Sequence, residues 1–268
     1  MIKKIIILSI IFLVTSCDYI QYSPHETLNT DIVYNKKNLE LISNNAIKVK
    51  DKFTFTLISD SHFAFDTLKM AVKRINNLEI KSDFTIHLGD IADNGLTNEY
   101  RISNKIMKKL EHPFLVVLGN HDCLSSGKEI FKNLYGSSDF SFVYGNSKFI
   151  IINSNSWEFL DQNVPNLDWL EDQLSDRLLH KHVFVLAHIS PFTRGFDTEK
   201  EERYKNLMKN YNVTYSIHGH NHKFWKGDYY EDGVEYILLD NIQDHNYVII
   251  SVDGDDVNFE LKAFSGSL

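Results

Sequence analysis

Cysteine is nearly absent from this chain: two in 268 residues, Cys17 and Cys123. A disulfide framework of the kind that staples small secreted domains is therefore excluded. Basic residues are also in short supply, with 28 Lys and Arg against 36 Asp and Glu and a formal charge of −8 with histidine neutral. Non-specific binding to nucleic acid backbones relies on Lys and Arg neutralising phosphates. With no basic stripe in the chain, nucleic acid is not expected as a partner and a nuclease on polymeric substrate is disfavoured. The N-terminal apolar run, Ile5–Val14, is well short of the roughly 20 residues a bilayer span needs. There is no internal repeat, and no low-complexity tract beyond an Asn-rich stretch before residue 51. What remains, at 43% hydrophobic content, is enough for one substantial core in one domain.

The N-terminus has the pattern of a targeting segment, Lys3-Lys4 ahead of Ile5–Val14. Val14-Thr15-Ser16-Cys17 follows and resembles a bacterial lipobox, in which cleavage before Cys17 exposes it for lipid attachment. The expected organisation is a signal peptide over 1–16, lipidated Cys17 with a polar tether over 17–51, and a globular domain over 52–268. Removal of Lys3 and Lys4 takes the charge from −8 to −10. This arrangement places the protein in the bacterial cell envelope, lipid-anchored outside the cytoplasmic membrane; a secreted or periplasmic form is the alternative. With Cys17 lipidated, Cys123 is alone and reads as a small packing residue.

The tether is polar and without clear periodicity, with one strand expected near Ala46–Val49. Beyond it, apolar runs at Phe53–Ser59, Phe84–Leu88, Phe114–Leu118 and Val183–Ala187 read as buried strands. Helical patterns at Thr67–Asn77 and Thr97–Leu110 separate the first three, as in a parallel α/β core. Phe140–Tyr144 and Phe149–Asn153, split by Gly145-Asn146, read as a hairpin. Asn166–His180 reads as an amphipathic helix with Trp169, Leu170, Leu174 and Leu178 on one side. Four short strands are expected at the end: Asp228–Tyr230, Val234–Leu239, Tyr247–Val252 and Val257–Leu261.

Five motifs punctuate this pattern in order: Asp60-Ser-His62, Gly89-Asp90-Ile-Ala-Asp93, Gly119-Asn120-His121-Asp122, Ala187-His188 and Gly219-His220-Asn-His222. Any one alone is an ordinary polar turn, since Gly, Asn and Asp all favour turns. His220 and His222, two apart on an extended segment, are expected to point the same way. Most of the motifs begin where a strand-like run ends, and the carboxyl ends of strands are where open α/β sheets build their sites. Together they supply the Asp, Asn and His side chains that hold two divalent metals side by side.

The ordered set resembles the calcineurin-like metallophosphoesterases from about Phe53 to about His222. The resemblance implies a four-layer α-β-β-α sandwich and a two-metal site. Asp60, His62 and His222 would hold one ion, Asn120, His188 and His220 the other, and Asp90 would bridge them. Mixed His, Asp and Asn ligands suit Mn, Fe or Zn. Two such ions clamp phosphoryl oxygens and turn a shared water into a hydroxide nucleophile near neutral pH. His121 is expected to face the scissile phosphate and assist the leaving group, with Asp122 orienting its ring.

Departures narrow the branch. Protein serine/threonine phosphatases carry an Arg soon after the G-D-x-x-D block, where this chain continues Asn94-Gly95, and purple acid phosphatases a Tyr where Asp93 stands. Asn94-Gly95 followed by Glu99-Tyr100 is most similar to the cyclic-nucleotide and glycerophosphodiester branch, although Glu99-Tyr100 also reads as the exposed start of a helix capped by Thr97. The expected substrate is a small phosphodiester. A phosphomonoester, or a non-catalytic binding protein using the same metals, is the alternative. Specificity is expected from the loops Phe63–Asp66, Cys123–Phe131 and Phe192–Lys200. His218 reads as a hydrogen-bonded core residue, and Arg194 as an exposed loop residue near enough to meet a phosphate.

Overall fold

Alternation along the strands decides the layering. In β1 (Lys52–Ile58), Phe53, Phe55 and Leu57 join one apolar cluster while Ile58 joins another. In β2 (Phe84–His87) and β3 (Phe114–Val116), Phe84, Ile86 and Leu115 face the first cluster, and Phe114 and Val116 the second. A period of two sends successive side chains to opposite faces, so each of these strands is buried on both.

The structure, a computed structural model, describes residues 26, 28, 30–46 and 51–265. Among them, two sheets lie face to face. The first has the order β11-β10-β1-β2-β3, with β10 (Asn246–Asp253) and β11 (Asp256–Ala263) antiparallel and β1, β2 and β3 parallel. The second has the order β4-β5-β6-β7-β9-β8. It is built from the hairpin β4 (Phe140–Tyr144) and β5 (Ser147–Ile151), then β6 (His182–Leu186), β7 (Tyr215–His218), β8 (Trp225–Gly227) and β9 (Glu235–Leu238). Phe53, Phe55, Phe84, Phe149 and Phe184 fill the space between the sheets with ring centroids 5.0–6.3 Å apart. Contacts at such distances add about 0.5–1.5 kcal/mol per pair beyond area burial. Helices α2 (Phe65–Asn76), α3 (Thr97–Met107) and α4 (Gly127–Leu134) cover the first sheet. Helices α5 (Leu167–Leu174) and α6 (Thr198–Asn210) cover the second. The expected four-layer α-β-β-α sandwich is the observed one.

The differences are local. Residues 34–46, read as tether, form helix α1 (Tyr34–Ala46), which packs against β3 and β4, the outer strands of the two sheets. Buried Asn35 acts there as a strand would: its Nδ2 donates to the Val116 carbonyl at 2.8 Å and its Oδ1 accepts from the Val116 N–H at 2.9 Å. Asn38 donates to the Phe114 carbonyl at 2.6 Å. An uncovered edge strand presents unpaired backbone groups, and these two polar side chains hide the helix from any search for apolar periodicity. The signal peptide, Cys17 and residues 47–49 of the strand expected near Ala46–Val49 lie outside the described residues, and Ala46 ends helix α1.

The helix expected over 166–180 stops at Leu174, where Ser175 Oγ donates back to the Asp172 carbonyl at 2.6 Å; Leu178 is then 96% exposed. The short strand placed at Asp228–Tyr230 is instead β8, three residues earlier. All three expected loops contain helix: Phe65 begins α2, Gly127 begins α4, and Thr198 begins α6, capped by Asp197 Oδ1 accepting from the Glu199 N–H at 3.0 Å.

Replacing Asn35 by Ala strands a backbone donor and acceptor of β3 inside the protein, each costing about 1–3 kcal/mol. Urea denaturation should show Asn35→Ala less stable by about 2–4 kcal/mol, and the exposed Lys36→Ala within about 0.5 kcal/mol of the parent. Equal stability of the two variants would contradict the docking of α1.

Candidate metal centre

The five motifs occupy the loops that follow β1, β2, β3, β6 and β7, and the pairing of those strands brings them to one end of the sandwich. Backbone bonds then lace the loops together. The Asp60 N–H donates to the Gly89 carbonyl at 3.1 Å, His62 N–H to Asp90 at 3.0 Å, and Gly219 N–H to His188 at 3.0 Å. The approach is close enough to need glycine. A Cβ on Gly119 would lie 2.2 Å from Asp90 N, and one on Gly219 would lie 2.1 Å from Ser59 Oγ.

Two donor sets result. In the first, His222 Nε2 lies 3.2 Å from Asp60 Oδ1 and 3.3 Å from His62 Nε2. In the second, Asn120 Oδ1 lies 2.9 Å from His220 Nδ1 and 3.1 Å from His188 Nε2. Asp90 Oδ2 stands between them, 3.2 Å from His188 Nε2 and 3.8 Å from His62 Nε2. All seven expected ligands are thus gathered, in the two groups expected. The route differs for the last motif. His220 and His222 sit on left-handed backbone, at φ +70° and +50°, so they are not on an extended segment and serve different sets.

The donor chemistry fits divalent cations. His188 Nδ1 donates to the Leu88 carbonyl at 2.8 Å and His220 Nε2 to the Arg194 carbonyl at 3.1 Å. Each bond holds a proton on the far nitrogen and turns the near nitrogen inward, as metal-bound imidazoles require. His62 Nδ1 has the Asp93 carboxylate 3.1 Å away. The charge balance agrees. Burial disfavours an ionised Asp60, but the bond from His222 and the charge of His188 outweigh it and hold its pKa below the usual value. Burial likewise opposes charge on His188, yet Asp90 beside it pushes the imidazole up to about 10. Burial acts the other way on His62, whose pKa it lowers, and on His220, which it takes down to about 4, so these two rings favour the neutral form a metal ligand needs.

His121 stands at the rim, its side chain 39% exposed and its ring 4.7 Å from His62. The partner expected for it is corrected. Asp122 does not orient the ring; its carboxylate is fully buried and accepts from the N–H groups of Asp90, Ala92 and Gly119, each at 2.9 Å. His121 Nδ1 donates instead to the Asp93 carbonyl at 2.7 Å. Glu99 and Tyr100 are corrected as well, because both are buried. Glu99 accepts from backbone N–H groups of the loop before α3, and Tyr100 OH donates to the Asp122 carbonyl at 2.8 Å. Sequence reasoning missed Asp93 and Glu99 as parts of the site: Asp93 serves through its backbone carbonyl and a carboxylate beside His62, Glu99 through backbone N–H groups, and no spacing rule marks either.

His218 is the core residue expected. His218 is wholly buried; its ring bonds the Ser216 hydroxyl at 2.8 Å and the Ala187 carbonyl at 3.1 Å, and burial pushes its pKa down to about 3. Cys123 packs beneath the loop with Sγ donating to the Gly119 carbonyl. Arg194 is exposed, its guanidinium 5.0 Å above the Trp157 ring. The two residues border a cavity of about 670 Å³ that also takes in Phe159, Phe192, Asp197 and Glu201.

A family model described as calcineurin-like phosphoesterase matches residues 53–224. The chain belongs to that family. Its relatives include a probable glycerophosphodiester phosphodiesterase GpdQ of Arcobacter nitrofigilis, 31% identical over 163 residues that make up 58% of either protein. The glycerophosphodiester phosphodiesterase GpdQ of Enterobacter lignolyticus is 26% identical over 162 residues, 52% of this chain and 57% of that protein. The chain therefore spans somewhat more than half the length of these phosphoesterases. The fold is shared with a dimetal phosphatase from Danio rerio at a TM-score of 0.62 and 14% identity, over 81% of this chain and 100% of that one.

For this member of the family, elemental analysis after Mn²⁺ loading should find two ions per chain. His222→Ala, at the more exposed set, should lose one, and Asp90→Asn should weaken both. A single ion in the parent, or no change in either variant, would contradict the two-set geometry.

Proposed function

We propose that this chain is a hydrolase of phosphoester bonds, acting on a small phosphodiester with two divalent ions of Mn, Fe or Zn. The observation that carries the proposal is the convergence of Asp60, His62, Asp90, Asn120, His188, His220 and His222 into two adjoining donor sets with His121 at their rim. The ions, when bound, would polarise the phosphoryl oxygens and lower the pKa of a water between them. Asp90 would hold both sets in register. His121, its Nδ1–H tied to the Asp93 carbonyl, keeps Nε2 available to a bound ester. In the imidazolium form Nε2 would carry a second proton and give it to the departing alkoxide, leaving a neutral ring with Nδ1–H still on the Asp93 carbonyl, the kind of step that general acids accelerate.

The choice of a diester over a monoester is supported by the likeness to the two GpdQ relatives. The Asn94-Gly95…Glu99-Tyr100 stretch supports it only indirectly, as a way of shaping the loop, since Glu99 and Tyr100 are buried beneath it. A lipid on Cys17 would place this activity in the cell envelope, the reading that the Lys3-Lys4 and Val14–Cys17 pattern supports.

Side-by-side hydrolysis of bis-nitrophenyl phosphate and nitrophenyl phosphate by the Mn²⁺-loaded protein tests the proposal, with the diester expected to turn over faster. A monoester preference would make it a phosphatase. Asp90→Asn should abolish turnover. His121→Ala should lower hydrolysis of an alkyl diester such as glycerophosphoethanolamine by roughly 10²–10⁴-fold, with the fold retained by circular dichroism. Unchanged turnover in both variants would overturn the assignment of the site.

A further inference from the structure

We infer that Glu99 is a positioning residue for His121, acting through a single peptide unit of the loop between them; the inference rests on the reading of His121 as proton donor to the leaving group. Glu99 is 5% exposed and sits in the first turn of α3. A glutamate at this position ordinarily reaches back to one backbone N–H at the helix start, and here Oε2 accepts from Leu96 N–H at 3.2 Å in that way. It also accepts from Asn94 N–H at 2.8 Å and Asp93 N–H at 3.1 Å, and Oε1 lies 3.3 Å from Asn94 Nδ2.

The bond to Asn94 is the consequential one. The Asn94 N–H and the Asp93 carbonyl belong to the same planar peptide unit, and that carbonyl accepts from His121 Nδ1 at 2.7 Å. Glu99 and His121 therefore hold opposite sides of one rigid plane. Rotation of the plane to loosen one bond misaligns the other, so the carboxylate sets the direction from which His121 is held. Its charge makes the grip strong, since bonds to an ionised acceptor are about twice as strong as neutral ones. The rest of the face supports the same loops: Ser103 Oγ donates to the Ile91 carbonyl at 2.9 Å and Tyr100 OH to that of Asp122. Those bonds hold the motifs in place; the bonds of Glu99 continue to the ring of His121.

The test uses the full metal-loaded chain, glycerophosphoethanolamine as an ester with a basic leaving group, and bis-nitrophenyl phosphate as one that leaves without help. Glu99→Gln keeps the shape and removes the charge. It should lower kcat on the alkyl ester roughly tenfold, the scale of loss that a small misplacement brings, with KM unchanged, and change the nitrophenyl ester by less than about threefold. In a His121→Ala background the same substitution should add less than about twofold. Proton NMR of the Zn²⁺-loaded chain, free of paramagnetic broadening, supplies a readout apart from activity: the His121 Nδ1–H resonance, expected to exchange slowly in the parent, should broaden or exchange rapidly in Glu99→Gln. Equal losses on the two esters, an undiminished effect without His121, an unaltered Nδ1–H signal, or loss of bound metal or of the fold would each assign Glu99 to loop structure alone and overturn the inference. A His121→Ala variant that spares the alkyl ester would overturn the reading of His121 and the inference with it.

Discussion

Three carboxylates, Asp60, Asp90 and Asp122, lie in one cluster of loops at 0, 1 and 0% exposure, and the surroundings of the site are arranged around their charge. An isolated buried carboxylate costs far more than a domain can tolerate, so it must find donors, a cation or a proton. Asp122 takes three backbone N–H groups, which gives the motif loops their shape; burial and the neighbouring Asp90 still push its pKa up to about 7. Asp60 takes the His220 N–H and the Ser59 hydroxyl, and Asp90 takes the His121 N–H. For Asp60 and Asp90 these bonds leave oxygens turned toward four imidazoles, those of His62, His188, His220 and His222. Two divalent ions would compensate that remaining charge, which links the fold of the loops to their chemistry.

The same loops hold backbone strain. Asp60, His62, Asp90, His220 and His222 all have φ between +44° and +70°, a region that costs a residue with a side chain roughly 1–2 kcal/mol. Five such residues together amount to a sizeable fraction of the 5–15 kcal/mol by which domains are stable. They persist because the structure on either side over-determines them: the aromatic layer between the sheets below, and the ladder of backbone bonds between motifs beside them. Strain concentrated in ligands and offset elsewhere is the usual mark of a preorganised site. Bound ions, by favouring only the folded state, would offset it further.

Where burial follows apolar periodicity, the sequence was legible. Phe53–Ser59, Phe84–Leu88, Phe114–Leu118 and Val183–Ala187 each coincide with a strand to within one residue at its start, because strands buried on both faces read as continuous apolar runs. The seven ligands were legible through a resemblance, as residue types in an order. Helix α1 was not, because its decisive contacts are the amides of Asn35 and Asn38. Helix α6 was not, because only Tyr204, Leu207 and Met208 of its thirteen residues are buried. The left-handed turns at the ligands left no trace either, since Asp and His, unlike Gly, do not announce φ. Asp122 was assigned to the wrong partner for a related reason. A carboxylate beside a histidine in sequence suggests a pair, and only the structure shows its oxygens turned to the backbone.

The exposure of the site has a direction that bears on specificity. His188, Asp60 and Asp90 are sealed beneath the loops, whereas the His222 side chain is 44% exposed and that of His121 39%. Of the residues gathered at the centre, the rim is therefore where a phosphoryl group meets them. On the His220 side the rim continues, through the Arg194 carbonyl that holds the His220 ring, into the cavity bordered by Trp157, Phe192 and Arg194. Segments 156–164 and 191–201 line that cavity, and they lie outside the runs of Asp, Asn and His that define the motifs. The donor sets and the cavity beside them are thus written in different parts of the chain. Motif residues are constrained by buried charge and left-handed backbone, so they vary little without loss of the site. Cavity residues such as Trp157 and Leu160, 49% and 86% exposed, are free of both constraints and can be replaced without disturbing the metals.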